Sequence, residues 1–266
     1  MPKFYDIVIP LVGGKRVLDA GSVGHSYTGR HGYKTWNFAV ISQHASKVKG
    51  FDLLEKDVIE ARADGFDIEV GDAETYLTSE EYEVVFAGDL IEHLSNPGLF
   101  IDCCYKNLHN GGKLVLSTPN TYSFAKLLRV ILRRTNEPPV NPEHTFYFTP
   151  RTLEQLVTRH GFRLVEINYS DLDYTSEHGT RWKRALLGIN SRLSSWVPRF
   201  SQAMIAVFEK VPEANSRGRE PWPLFTRIRP ASLQRATAMR AELLSRFLSG
   251  YRETEPCNPA VVSADK

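Results

Sequence analysis

The stretch Arg16-Val-Leu-Asp-Ala-Gly-Ser-Val-Gly24 places the tightest limit on what this chain can become. Apolar residues of β propensity lead into an acid, and two glycines come next, the pattern of a buried strand entering a tight turn. Gly21 and Gly24 lack a Cβ, so the backbone there is free to take positive φ and to let a ligand lie against it. Asp19 falls at the strand end, the edge at which open α/β sheets bind their ligands. A Gly-x-x-Gly alone also fits a turn with no ligand, so the meaning of this turn depends on the segments downstream.

Downstream, strands and helices alternate. Val48–Asp52, Asp67–Val70, Tyr82–Ala87 and Lys113–Thr118 read as four more strands, and Arg163–Tyr169 and Ala203–Glu209 as a sixth and seventh. Helical patterns separate them: one capped by Thr35 through Trp36, Phe38, Ala39 and Ile41, and one over 54–63 with Leu54, Val58 and Ile59 on a shared face. A third spans 90–108, broken in two at Pro97 and ended by Asn110-Gly111-Gly112. A fourth is capped by Thr149, runs through Leu153, Leu156 and Val157, and ends at Gly161. Residues 1–15 form a lead-in whose Ile7, Val8, Ile9 and Leu11 are placed to pack beside the first strand. Strands alternating with helices predict parallel strands covered on both faces.

Other parts of the chain break the pattern. Residues 121–134 form a basic amphipathic stretch, with Phe124, Leu127, Leu128, Ile131 and Leu132 beside Lys126, Arg129, Arg133 and Arg134 and no acid. A Pro-rich loop covers 135–144, and 171–200 is rich in Arg and Trp. Beyond Pro212 the composition turns to Pro, Arg and Ser, then a helix is expected over 231–249 on a stripe of Ala236, Met239, Leu243, Leu244, Phe247 and Leu248. The expected organisation is a main domain over 1–212, with 121–150 and 171–202 as insertions forming a helical substrate cap. A linker and C-terminal helix over 213–252 and a disordered tail over 253–266 complete it.

No apolar run approaches the ~18 residues a membrane-spanning helix needs, and the start lacks a long apolar signal core, so a cytoplasmic location is expected. Cys103, Cys104 and Cys257 make neither a disulfide framework nor a zinc pattern, and adjacent Cys103 and Cys104 read as helix packing.

Taken in order, strand–Asp-x-Gly, strand–Asp, Gly-Asp-Ala, strand–Gly-Asp-Leu-x-Glu-His and Gly-Gly-x-Leu-x-Leu-Ser-Thr-Pro-Asn resemble the class I S-adenosylmethionine-dependent methyltransferases. The resemblance is strongest to the bacterial group with an Asp-x-x-Glu-His-Leu motif after strand four. It covers roughly 14–170, with the seventh strand at 203–209. It implies an α/β fold with a Rossmann-like, seven-stranded, mostly parallel sheet flanked by helices, and S-adenosylmethionine as cofactor. By the same resemblance Gly21 and its neighbours, including Gly24, cradle the methionyl end, and Asp19 orients that loop. Asp52 takes the ribose hydroxyls, Asp72 and Ala73 contact the adenine, and Asp89 faces the methionyl amine or the acceptor. The chain departs from the family's Asp-x-Gly-x-Gly-x-Gly turn: Val23 and His25 stand in place of two glycines, and Asp52 comes 28 residues after Gly24. That puts the pose of the cofactor in question and argues against a nicotinamide enzyme, which needs the tight turn for its pyrophosphate.

Methyl transfer to a hydroxyl needs the acceptor positioned and its proton removed, and histidine suits that role near neutral pH. His93 and His144 are the candidates, with His25 a third. The implied reaction is O-methylation of a small molecule, sugar, or glycan- or lipid-linked intermediate. The basic stretch also fits an anionic acceptor or a membrane surface. No RNA-stacking module is evident, so nucleic acid is not expected as partner. Asp89, Glu92, His93 and His144 also resemble the metal ligands of small-RNA 3′-terminal 2′-O-methyltransferases. Asp89 departs from the Glu of that set, and no metal is expected. A cofactor-binding scaffold without turnover is a further alternative.

Overall fold

All seven expected strands form: β1 (Arg16–Ala20), β2 (Lys47–Asp52), β3 (Ile68–Val70), β4 (Tyr82–Gly88), β5 (Leu108–Pro119), β6 (Phe162–Ser170) and β7 (Ala203–Lys210). The computed structural model describes residues 3–27, 36–133, 141–171, 192, 194 and 196–212. Compact units divide the chain into Met1–Arg219 and Glu220–Lys266. Thr35, part of the Pro-rich loop, most of 171–202, the linker, the helix expected over 231–249 and the tail lie outside the described residues.

The strands make one sheet in the order β3-β2-β1-β4-β5-β7-β6. Strands β1 to β5 run parallel, and β7 is antiparallel to both β5 and β6. The sheet is Rossmann-like, and chain order reverses between β1 and β4. Such a switch point, at the carboxyl ends of the strands, is where open α/β sheets carry the crevice that binds their ligands.

Side chains alternate between the faces. Val17, Val84, Phe86, Val115, Ile205 and Val207 pack with Val8 and Val12 of α1 (Phe4–Val12) and Ile41 of α2 (Asn37–Ser42). Leu18, Val85, Leu114, Leu116 and Phe208 face the other way, against Phe100, Ile101 and Cys104 of α4 (Pro97–Asn107) and Leu153 and Val157 of α6 (Pro150–Thr158). Both faces are covered, which is why the central strands are apolar at nearly every position. Cys103 and Cys104 are buried in α4, as packing requires.

Three local expectations are corrected. In α3 (Glu55–Ala63) the buried side is Val58 and Ala61, while Leu54 and Ile59 are exposed, because Val58 and Ala61 are the residues that pack into the cluster with Trp36, Phe38 and Ile68. The run 90–108 is not two α-helices: Ile91–His93 is a single 3₁₀ turn, Leu94 is extended, and α4 begins at Pro97. Glu74 draws the chain out there, its carboxylate accepting from the Asn96 backbone N–H and side-chain amide. Asn110-Gly111-Gly112 does not end that helix. Buried Asn107 does, its side chain accepting from Thr78 N–H and donating to Tyr76 O. Leu108 then pairs with Tyr82, and pairing resumes only at Lys113 with Val84, so the residues between form a bulge in which Gly111 takes φ +78°.

Thr149 caps α6 as expected, accepting from Thr152 N–H. The N-cap of α2 is Trp36. The basic stretch forms α5 (Phe124–Arg133).

Candidate active site

The carboxyl ends of β1, β2, β3 and β4 bring Asp19, Asp52, Asp72 and Asp89 to one edge of the sheet, as parallel strands must. Gly21 and Gly24 both take positive φ, +71° and +68°. A Cβ on Gly21 would meet Leu90 at 3.0 Å, so the turn and the loop after β4 approach closely here.

The turn is knotted to β2. Gly21 and Ser22 N–H donate to Phe51 O. Asp52 accepts from Val23 and Gly24 N–H on one oxygen and from Leu54 N–H on the other. A carboxylate offers about four lone-pair positions, so roughly one stays open. The two-hydroxyl grip expected of Asp52 therefore requires a backbone bond to yield.

Val23, which replaces a glycine, is fully buried with Tyr27, Trp36 and Phe38. Trp36 donates its indole N–H to Ser22 O at 2.7 Å, and Tyr27 donates its backbone N–H to Asp57 and its hydroxyl to Asp64. An aromatic cluster thus holds the turn in the way that glycines hold the tighter one.

Beyond β3, Asp72 is exposed and accepts from Glu74 N–H, and Ala73 is buried beside it. Tyr76 stacks on Phe51 at 3.9 Å under this turn, so tightly that a side chain at Gly71 would collide with it. Leu53, which the sequence pattern did not single out, comes after Asp52 on the same rim and is 69% exposed.

Past β4 the character changes. Asp89 adopts φ +50°, the one positive φ outside glycine among the described residues. Ser117 holds it: Asp89 N–H donates to Ser117 O, and the Ser117 hydroxyl donates to the Asp89 carboxylate at 3.0 Å. Asp89 is open to solvent by area but lies in a concavity, and the crowding protein pushes its pKa up against the pull of Ser117 and His93.

Glu92 is 1% exposed, and neither carboxylate oxygen has a well-formed hydrogen bond. Burial first, then the Asp89 charge, raise its pKa to about 8, with Thr118 giving only weak support to the charged form. Lys126 of α5 reaches in from the other side. Its Nζ has no hydrogen-bond partner among the described residues and lies 5.2 Å from the Tyr147 ring centroid. Burial lowers its pKa, while Glu92 and Asp89 pull it back.

The loop carrying His144 is sewn onto the 3₁₀ turn. Thr145 and Phe146 N–H donate to Glu92 O, and the Thr145 hydroxyl donates to Leu94 O. This sets the His144 ring 4.6 Å from that of His93, edge to face, with His25 5.8 Å beyond His93. His25 pairs with Glu143 at 3.4 Å, both exposed, which contributes little. Burial, then His93 and Lys126, push the His144 pKa below the ordinary histidine value.

Ligand atoms of Glu92, His93 and His144 lie within 4.8 Å of one another. One carboxylate and two imidazoles suit a divalent cation of borderline softness. Asp89 is not in that set, because the left-handed bend at Asp89 and the 3₁₀ turn replace the helical face on which the spacing relied. Glu92, named in the sequence only through its motif and the metal-ligand resemblance, and Lys126 and Leu53 were thus underweighted by sequence reasoning. Lys126 carried a signal as a cation in an acid-free helix after the fifth strand, and Leu53 carried none.

A family described as methyltransferase domain matches residues 8–167. A probable S-adenosylmethionine-dependent methyltransferase of Mycolicibacterium smegmatis is 30% identical over 57% of this chain and 53% of its own. The mitochondrial ubiquinone biosynthesis O-methyltransferase of Rattus norvegicus is 26% identical over 56% of this chain and 44% of its own. The chain thus spans about half the length of these curated relatives. A solved S-adenosylmethionine-dependent methyltransferase from Archaeoglobus fulgidus shares the fold at TM-score 0.52 and 20% identity, covering 77% of this chain and 91% of that one.

Proposed function

This chain belongs to the methyltransferase-domain family of S-adenosylmethionine-dependent enzymes, and from that premise we propose that it methylates a hydroxyl oxygen of a small-molecule acceptor. The observation that carries the reading is the meeting of two unlike clusters at the switch point: glycine and carboxylate strand ends on one side, a histidine pair beside Asp89 and the buried Glu92 on the other. When bound, S-adenosylmethionine supplies a methyl group made electrophilic by its sulfonium.

Asp52 accepts a ribose hydroxyl on its remaining lone pair. The Asp72–Ala73 turn meets the adenine edge, and Leu53 offers the apolar surface that a purine face covers. Gly21 and Gly24 let the methionyl portion lie against the backbone, with Asp19 beneath orienting the turn. Asp89 faces the reacting centre. His144, neutral at lower pH than an ordinary histidine, takes the acceptor's hydroxyl proton as the oxygen attacks, and His93 steadies its ring. Helix α5 and the segment before β7 form the acceptor cap, in the main domain expected over 1–212.

Relatives named as O-methyltransferases of ubiquinone biosynthesis favour a small acceptor methylated on oxygen. Sugars and glycan- or lipid-linked intermediates are the other members of that class. Calorimetry with S-adenosylmethionine, then mass spectrometry after incubation with phenols, nucleotide sugars and 3′-terminal RNA, tests the reading. Transfer to a small hydroxylated acceptor is expected. Binding without transfer to any acceptor would leave a scaffold, transfer to RNA alone would move the acceptor class, and no binding would overturn the whole.

A second reading is favoured by one observation, the 4.8 Å grouping of Glu92, His93 and His144 with carboxylate oxygens that lack a well-formed hydrogen bond. There these side chains hold a divalent cation, and His144 is a ligand instead of a base. Activity that disappears on chelation and returns with added Mg²⁺, Mn²⁺ or Zn²⁺ selects it; activity indifferent to chelation selects the histidine base.

A further inference from the structure

Lys126 is the lysine whose charge Asp89, Glu92 and His144 all feel. It comes from the inward side of α5, whose Ile131 and Leu132, on the outward side, are each 71% exposed. The Lys126 Nζ is sealed from solvent and has no hydrogen-bond partner among the described residues. It lies 5.2 Å from the centroid of the Tyr147 ring, which in turn is 6.3 Å from the His144 ring. Glu92 is sealed as well, and neither of its oxygens bonds the ammonium. The two groups therefore act on each other through space, charge offsetting charge without a bond. A buried lysine holds its proton where negative charge is near, and Glu92 and Asp89 supply that charge here.

The same negative charge is what a divalent ion would seek. Ligand atoms of Glu92, His93 and His144 lie within 4.8 Å of one another, a set whose chemistry fits such an ion. Ligands are only part of affinity, because an ion of charge two would also meet the ammonium. Repulsion between charges reaches further than a ligand bond, and a site closed to water screens it weakly. The competition is one-sided. Lys126 is fixed on α5, and the segment leading into that helix is pinned where the Thr121 hydroxyl donates to Phe148 O. A tethered charge acts at a high effective concentration, whereas a free ion must arrive from solution.

We propose that Lys126 is a built-in competitor of a divalent cation at the Glu92–His93–His144 group, its charge standing where the charge of such an ion would otherwise act. The competition stands apart from the methyltransferase reading. Its consequence, that His144 is left free to act as a base in the native protein, rests on that reading.

Titration with Co²⁺ of the full chain, first stripped with a chelator, tests the competition by calorimetry and by the visible absorption of the bound ion. Lys126→Met removes the charge and keeps an apolar stem, and it binds Co²⁺ on the order of a hundredfold more tightly than the native chain. Lys126→Arg keeps the charge and binds no better than the native chain. Adding His144→Ala to Lys126→Met abolishes the gain, which ties it to this cluster and not to other histidines. Lys126→Gln carries the same expectation as Lys126→Met and serves where that variant does not fold. A lysine that only packed would give no gain when replaced. Calorimetric affinity for S-adenosylmethionine, read on the same samples, separates failure of the cofactor reading from failure of the competition. Native chain that binds Co²⁺ as tightly as the uncharged variants overturns the proposal, and so does an arginine variant that gains as much as they do.

Discussion

The two sides of the crevice are built on opposite principles. On the β1–β3 side Asp52 and Asp72 are tied into the backbone: Asp52 takes three N–H bonds and Asp72 one. On the β4 side the Glu92 carboxylate and the Lys126 Nζ are buried with no well-formed hydrogen bonds, and two imidazoles crowd near them. The first side is already satisfied and holds a shape. The second stores unmet electrostatic demand, which a substrate or cation entering the crevice can relieve. Buried charge that is strained in the resting protein is where pKa values move, and moved pKa values mark the acid–base chemistry.

The largest expected effect breaks this division most directly. His144→Ala lowers kcat about a thousandfold, the weight of a general base, while calorimetric affinity for S-adenosylmethionine stays within a factor of about two. A comparable loss of affinity would show that the two sides are one structural unit. Asp52→Ala does the reverse: cofactor affinity falls on the order of a hundredfold, and with three N–H groups unpaired stability drops by about 3 kcal/mol, read by urea denaturation. Asp52→Asn keeps an acceptor oxygen and loses less of both.

Glu92→Gln sharpens the contrast through pH. The Glu92 pKa rises from its ordinary 4.5 to about 8 on folding. Between those values the native protein binds more protons than the unfolded chain, so this group erodes stability as pH climbs. The variant should therefore melt higher than the native protein at pH 8, by about 2–6 °C, with the gap closing towards pH 5. A gap that widens at low pH would mean that Glu92 is ionised and paired, against the strained state described. The smallest effect is Gly21→Ala. Positive φ and the 3.0 Å approach to Leu90 cost about 1–2 kcal/mol, seen as a melting shift of a few degrees with weakened cofactor binding.

The satisfied side was also the legible side. Arg16–Gly24 announced a strand and a turn with positive φ, and β1 with Gly21 and Gly24 matches that reading closely. Gly71-Asp72-Ala73 and the acid ending β2 were readable for the same reason, since strand ends and turn chemistry lie in a few consecutive residues. Errors came where a distant group decided a local outcome. The helix before β5 stops at Asn107 because Thr78 and Tyr76 claim its side chain. The segment after Asp89 makes only a 3₁₀ turn, with Glu74 holding Asn96 downstream. Val23 looked like damage to a glycine turn, yet an aromatic cluster assembled from Tyr27, Trp36 and Phe38 receives it.

By itself the sequence determined the strands, their alternation with helices, the glycines of the turn and the acids at the binding edge, because hydrophobic periodicity and φ preference are properties of neighbouring residues. Only the tertiary structure decided that His144 faces His93, that Glu92 is sealed from water and that Lys126 points inward from a helix whose apolar side points out. Proximity and desolvation belong to the packed molecule: the same carboxylate is ordinary in water and strongly perturbed once protein has replaced its hydration shell.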